Sequence, residues 1–178
     1  MPPSNRAAHC SVAVDHYLYV FGGALGGISK TNLGGELADD ELYQLDFLSL
    51  NDKAYWGVKN CNGSSPGARY GHVMQYLKPY LIIHGGNTGS EPVGDLWSLD
   101  LQGNCIWKKI DPGNPIPPSR VYHSSSICKT GTASGMMVIF GGRGTDQSPL
   151  KDTWGLRKHR DGRLDWMQAP YKNNHQPS

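Results

Sequence analysis

The chain has 178 residues, among them 23 glycines, 12 prolines and five tryptophans, and 18% of its residues are charged. This composition is typical of short strands joined by many turns, and it argues against long amphipathic helices. The formal net charge is +2 and the lysines and arginines are scattered, so we expect neither a nucleic-acid nor a membrane partner. No apolar run approaches the roughly 20 residues that span a bilayer, and the N-terminus lacks the pattern of a signal peptide.

The predicted elements recur three times in the same order. Each repeat opens on an Arg-x-x-His segment, continues with a strand ending in a glycine pair, adds a strand that opens on Asp, and closes on a strand carrying Trp. In the first repeat, 6–56, the landmarks are Arg6, His9, 19–23 (YVFGG), 40–46 (DELYQLD) and Trp56. In the second, 69–107, they are Arg69, His72, 81–86 (LIIHGG), 95–100 (DLWSLD) and Trp107. In the third, 120–166, they are Arg120, His123, 138–142 (VIFGG), 152–156 (DTWGL) and Trp166.

Each repeat therefore predicts four short strands in an antiparallel meander. A single sheet of this kind cannot bury both of its faces, whereas sheets stacked around a common axis can. We predict an all-β protein built from three four-stranded sheets.

The pattern resembles the kelch repeat over residues 6–166. The resemblance implies a kelch-type β-propeller fragment of three four-stranded antiparallel blades, extending over 1–178, which binds other proteins rather than catalysing a reaction. Complete kelch propellers have more than three blades, so we expect either additional chain or a homodimer that completes a six-bladed ring. Unpaired blade faces would otherwise be an aggregation hazard.

A narrower resemblance lies in the third repeat. The stretch from Arg120 to Trp166, with the unusual tail 155–162 (GLRKHRDG), is similar to the kelch region of the protein phosphatases with kelch-like repeats. These are large Ser/Thr phosphatases of plants and protists. The resemblance implies that this chain recruits substrates or regulates catalysis, with no catalytic residue, metal or cofactor of its own. The catalytic domain of the parent chain would hold two divalent metal ions of the Mn or Fe type.

Two other classes of function stay open. A substrate-recognition kelch domain of a ubiquitin-ligase adaptor, or of a cytoskeletal scaffold, would carry the same repeats. An enzyme in its own right is the third class, but the copper oxidases with a kelch-like fold need two Tyr, a His and a Cys crosslink that cannot be placed here. We therefore expect a segment that is not an enzyme.

Several repeated residues have a structural explanation. His9, His72 and His123 match no zinc spacing, and polar residues repeated in this way usually make hydrogen bonds between blades, so no metal site is predicted. The glycine pairs lack the Gly-Lys-Ser or Gly-Lys-Thr ending of a phosphate loop and instead indicate positive φ and close backbone approach. The repeated tryptophans, and the aromatic residues Tyr43, Trp97 and Trp154 at one place in the third strands, indicate packing between blades.

The candidate partner-binding residues are Arg69, Arg120 and Arg143. In the kelch family, the loop leading into the first strand and the loop after the glycine pair open at the same channel mouth. Arginines there bind acidic or phosphorylated peptides in kelch-type adaptors, and a guanidinium offers paired N–H donors to a carboxylate or phosphate. For Arg69 and Arg120, an ion pair with the repeated Asp is the alternative.

Two further segments and the cysteines also bear on function. The loop 24–39 is longer than a turn requires, which is typical both of recognition loops and of tolerated insertions. The basic run 157–160 could dock an acidic partner or form a solvated turn. The four cysteines include no CxxC pair, and although two disulfides are possible, we expect reduced thiols and a cytoplasmic and/or nuclear location.

Overall fold

The computed structural model describes residues 1–26, 36–48 and 54–170. Within these ranges the regular structure is all β, apart from one 3-10 turn at Gly131–Ala133. None of the described residues belongs to a helix that is long and apolar enough to cross a membrane. The strands, in chain order, are β1 (Arg6–Ala7), β2 (Cys10–Val14), β3 (Tyr17–Phe21), β4 (Ala24–Leu25), β5 (Glu36–Leu37), β6 (Leu42–Asp46), β7 (Tyr55–Val58), β8 (Val73–Leu77), β9 (Tyr80–His84), β10 (Leu96–Asp100), β11 (Trp107–Ile110), β12 (Ser124–Ile127), β13 (Met137–Phe140), β14 (Thr153–Lys158) and β15 (Leu164–Gln168).

The longer strands form three four-stranded sheets, which we call blades 1, 2 and 3. Their strand orders are β2-β3-β6-β7, β8-β9-β10-β11 and β12-β13-β14-β15, with antiparallel pairing throughout. The prediction of three four-stranded antiparallel blades is confirmed. A fourth sheet, β1-β4-β5, was not predicted, because its two-residue strands are too short to show a period-2 pattern.

Blade 2 lies between the other two and is buried on both faces. Side chains alternate along its strand β9, so Leu81 and Ile83 face blade 1 while Ile82 faces blade 3. All three are 0% exposed. Both faces of this strand therefore contribute to the core.

Two hydrophobic clusters fill the seams between blades. The seam between blades 1 and 2 buries Phe21, Leu81, Ile83, Leu99 and Trp107 among others. The seam between blades 2 and 3 buries Ile82, Ile139, Trp154, Leu156 and Trp166 among others. The predicted packing of tryptophans between blades is confirmed for Trp107, Trp154 and Trp166, which are 4–5% exposed. Trp56 and Trp97 are half-buried.

The blades converge along their first strands, since β2 contacts β8 and β8 contacts β12. At one end of that common axis, each first strand begins and each second strand ends. We call this end the loop rim. It comprises segments 4–9, 22–26, 36–41, 66–72, 85–95, 117–123 and 141–152. Residues 27–35 of the long loop 24–39 lie outside the described part of the chain.

Candidate partner-binding site at the loop rim

Each repeat builds the same arginine-centred network behind the loop rim. In blade 3, Arg120 Nη1 donates to the Gly141 carbonyl oxygen at 3.0 Å and to Asp152 Oδ1 at 2.8 Å, and its Nη2 donates to Asp152 Oδ2 at 2.7 Å. The indole N–H of Trp154 donates to Asp152 Oδ2 at 2.6 Å. The arginine therefore ties the end of the second strand to the start of the third.

The network recurs in blades 1 and 2. Its equivalent bonds are Arg69 Nη1 to Gly85 O at 2.9 Å and to Asp95 Oδ1 at 2.7 Å, and Arg6 Nη1 to Gly22 O at 3.0 Å with Arg6 Nη2 to Asp39 Oδ2 at 2.9 Å. In blade 1 the Tyr43 hydroxyl replaces the indole, donating to Asp39 Oδ2 at 2.9 Å.

The electrostatics of this network favours charged carboxylates. Burial opposes the charge on Asp95 and Asp152, but hydrogen bonds and charge from Arg69 and Arg120 outweigh it. The pKa of each carboxyl therefore lies below its ordinary value of 3.8. A bidentate pair of this kind fixes the geometry of both side chains.

Arg69 and Arg120, two of the three predicted partner-binding residues, lie in these pairs. They are 1% and 0% exposed. The alternative interpretation, an ion pair with the repeated Asp, is what the structure shows for both. Contact with a partner would require their guanidinium groups to leave the pair and reach solvent, at the cost of an uncompensated buried charge.

Arg143, the third predicted residue, has a different environment. It follows the glycine pair of blade 3 and is exposed. Its backbone exchanges two hydrogen bonds with Val121, of 3.0 and 2.8 Å, so its position on the loop rim is fixed. Its side chain forms no ion pair with any residue that the structure describes. Arg143 therefore presents a charged group to solvent from a rigid backbone.

The repeated histidines pack across the seams. His72 lies edge-on against Phe21, with ring centroids 5.7 Å apart, and His123 Nε2 lies 3.1 Å from His84 Nδ1. The predicted hydrogen bond between blades thus occurs at His123, while His72 uses ring packing and His9 is exposed. Burial, followed by nearby arginines, lowers the pKa of His72 and His123 to about 3. Both are therefore neutral at pH 7.

Two residues in or beside the loop rim were not singled out from the sequence. His84 occupies the position that Phe21 and Phe140 hold in the other repeats, and a histidine there is visible as LIIHGG against YVFGG and VIFGG. Tyr122 is 49% exposed and has a φ of +60°. Its signal was a large residue at the place where the second repeat has glycine.

Comparisons with known proteins define the class. All 178 residues match the family described as the KLHDC2/KLHL20/DRC7 Kelch-repeats domain. The chain is 36% identical over 171 residues to the Serine/threonine-protein phosphatase BSL2 of Arabidopsis thaliana, covering 95% of this chain and 15% of that protein. It is 28% identical over 165 residues to an F-box/kelch-repeat protein of the same plant, covering 89% and 32%. The solved structure of YjhT shares the fold, with a TM-score of 0.66 at 16% identity over 91% of this chain and 45% of that one.

The chain therefore belongs to the kelch-repeat family, whose β-propeller is a protein-interaction fold. It spans less than a third of either curated relative, so its likeness to the phosphatase concerns one segment of that protein. The catalytic part of the phosphatase lies outside the matched segment.

Proposed function

We propose that this chain is the partner-recognition segment of a Ser/Thr protein phosphatase with kelch repeats, where it recruits substrates or regulates the catalytic domain. The observation that carries the proposal is the 36% identity to a Ser/Thr phosphatase across 95% of the chain. The two divalent ions of the Mn or Fe type would be held by the catalytic domain. No group of three His, Cys, Asp or Glu among the described residues could hold a metal. A cytoplasmic and/or nuclear location is part of the proposal.

The contact residue in this proposal is Arg143, and the partner segment is acidic or phosphorylated. Because the backbone of Arg143 is already fixed by hydrogen bonds, binding of a carboxylate or phosphate needs to order only its side chain. The carboxylate of Asp146 in the same loop accepts the amide N–H of Ser148 at 2.9 Å. The Asp146 carboxylate is thus hydrogen-bonded to the backbone of its own loop.

Fluorescence anisotropy tests this contact. The probes are a labelled glutamate-rich peptide, its phosphoserine counterpart and a lysine-rich peptide of the same length. We expect the first two to bind and Arg143→Ala to weaken them about 10- to 100-fold, because a hydrogen bond to a charged group contributes about 1.5–3 kcal/mol.

Arg160→Ala is the matched control, since Arg160 is also exposed but lies at the turn between β14 and β15, opposite the loop rim. It should leave binding unchanged. Equal affinity of Arg143→Ala and the wild-type chain, with folding intact, would contradict the proposed contact. Stronger binding of one anionic peptide would tell a carboxylate-binding site from a phosphate-binding one.

A second candidate is a substrate-recognition domain of a ubiquitin-ligase adaptor, which the likeness to the F-box/kelch-repeat protein favours. The loop rim and Arg143 would serve either parent protein. The two candidates differ in what accompanies the segment in the native protein: phosphatase activity in one case, ubiquitin-ligase components in the other.

A further part of the proposal concerns the outer faces of blades 1 and 3, which would join in a homodimer to complete a six-bladed ring. Across both seams, the residue before a glycine pair packs on the histidine of the next repeat. At the end of the series Phe140 is 42% exposed, and at the beginning His9 is exposed. The chain thus carries both halves of a further seam. It aligns with 45% of the YjhT chain, so two copies would account for about nine tenths of that length.

The exposed face of blade 3 has room for such a contact. It includes an apolar groove of about 390 Å³ lined by Met136, Val138, Gly155 and Met167. Sedimentation velocity should give twice the 19.5 kDa chain mass, and Phe140→Asp should give the monomer. Ile116→Asp, at a residue 49% exposed in the linker before blade 3, should remain dimeric. A wild-type monomer at all concentrations would contradict the dimer.

A further inference from the structure

Tyr122 lies on an inner chain of hydrogen bonds at the loop rim. Ala8, Gly71 and Tyr122 are the third residues of the three Arg-x-x-His segments. The Gly71 amide donates to the Ala8 carbonyl at 2.8 Å, and the Tyr122 amide donates to the Gly71 carbonyl at 2.8 Å. All three residues have left-handed backbones, with φ of +54°, +64° and +60°. Since the first strands converge on the axis, these positions surround its end.

A tyrosine is the unfavourable choice at such a position. L-residues rarely adopt this φ, and bulky ones least of all. The other two repeats use the small residues Ala8 and Gly71 there. Tyr122 nevertheless remains 49% exposed. Complete burial of its side chain therefore does not offset the strain of its backbone conformation. A residue kept in a strained conformation without such compensation is typical of functional sites.

The ring of Tyr122 packs beside that of Tyr70, on the residue that follows the backbone partner of Arg143. Its centroid lies 5.9 Å from that of Tyr70, with the planes tilted by 39°. A Cβ at Gly71 would lie 2.9 Å from Tyr122 Cδ1, so the glycine leaves the space that the ring needs. The two backbone hydrogen bonds between Val121 and Arg143 hold the exposed guanidinium residue next to this ring's own segment.

We propose that Tyr122 contacts the partner directly and, together with Arg143, selects acidic peptides that carry an aromatic residue next to the acidic one. The peptide's aromatic side chain packs on Tyr122 while its carboxylate pairs with Arg143. Aromatic pairs prefer offset or edge-to-face arrangements, and a tyrosine supplies this area at low entropic cost. The inference rests on the proposed function of the loop rim.

The test combines affinity with thermal stability. Anisotropy is measured with a labelled Glu-Trp-Glu peptide and its Glu-Ala-Glu counterpart, alongside the Tm of each variant. Tyr122→Gly should bind the tryptophan peptide about 3- to 10-fold more weakly, leave the alanine peptide nearly unchanged and have a raised Tm, because glycine accepts the left-handed backbone. Tyr122→Phe should bind like the wild type. Ala8→Gly, the matched control, should raise Tm without altering affinity.

Each outcome separates the inference from the proposed function. Unchanged tryptophan-peptide affinity in Tyr122→Gly, with loss of both peptides in Arg143→Ala, would overturn the inference and leave the proposed contact standing. A lower Tm with unchanged affinity would make Tyr122 a packing residue and would also overturn it. Failure of the wild-type chain to bind either peptide would remove the proposed contact itself, and the inference with it.

Discussion

At the scale of single residues, the buried arginines and histidines decide how the free energy of unfolding responds to substitution and to pH. Arg120 is fully buried and has one carboxylate partner. His72 and His123 are buried beside Arg69 and Arg120, so a proton on either ring would place two positive charges together. The fold therefore depends on a charged carboxylate beside Arg120 and on neutral rings at His72 and His123.

Removing the carboxylate of Asp152 should destabilise the chain strongly. We expect Asp152→Asn to lower the free energy of unfolding by about 3 kcal/mol, because it leaves the charge of Arg120 buried and unpaired. Urea unfolding measures the change. Asp161→Asn removes a partner of Arg163 in a pair whose side chains are each 66% exposed, and it should have little effect. Equal effects of the two substitutions would show that the Arg120 network does not stabilise the fold.

The stability of the chain should fall on mild acidification. The pKa of His72 and of His123 is about 3 in the folded state, against 6.5 ordinarily, so the unfolded chain binds more protons below pH 6.5. Their stabilisation is complete above pH 6.5 and is lost as the pH falls towards 3. Each histidine should remove up to about 1.4 kcal/mol per pH unit in this window.

Urea unfolding at pH 7.5 and pH 5 checks this dependence before the aspartates titrate. His72→Phe should show a shallower change than the wild-type chain, since one titrating ring is gone. An equal free energy of unfolding at the two pH values would contradict the neutral, buried state of these histidines.

At the scale of elements, the glycine pairs join strands within a blade and leave space for the next blade to pack closely. A Cβ at Gly85 would lie 2.9 Å from the Arg120 carbonyl oxygen and 2.9 Å from His123 Cε1. The glycine is therefore required both by its φ of +69° and by the close approach of blade 3.

Two substitutions separate these requirements. Gly85→Ala should lower the free energy of unfolding by several kcal/mol, because backbone strain and the clash across the seam add. Gly67→Ala should cost only about 1–2 kcal/mol, because its φ is +77° but no atom lies within 4 Å of the new Cβ. Thermal or urea unfolding of the pair measures the difference, and a similar cost for both would mean that the seam tolerates a methyl group.

The sequence predicts the strands well because each one carries a landmark that recurs in every repeat. The glycine pairs, the acidic strand openings and the tryptophans mark the same strand in all three blades. The sequence did not decide whether Arg69 and Arg120 are buried, because an arginine that binds a partner and an arginine that pairs with Asp look the same in a sequence. Tyr122 escaped notice because its signal, a large residue where the second repeat has glycine, does not by itself report a left-handed backbone. The pairing of His84 with His123 is a tertiary contact between repeats, which no pattern within a repeat reports.

At the scale of the whole molecule, three blades make a series with two unlike ends. Blade 2 is covered on both faces, whereas blade 3 leaves Phe140 and a groove of about 390 Å³ exposed. The curated relatives are longer proteins, of which this chain matches 15% and 32%. Recognition at the loop rim and catalysis elsewhere in a parent chain fit this arrangement, because the rim needs only rigid blades behind it.

The most direct test of the central claim is to capture the native parent protein with an antibody against this segment and to assay it on phosphoserine and phosphothreonine peptides, with Mn²⁺ and with a chelator. We expect phosphate release that depends on the metal and is abolished by the chelator. Captured parent protein without phosphatase activity, accompanied by ubiquitin-ligase or actin components, would contradict it and would favour the adaptor or scaffold.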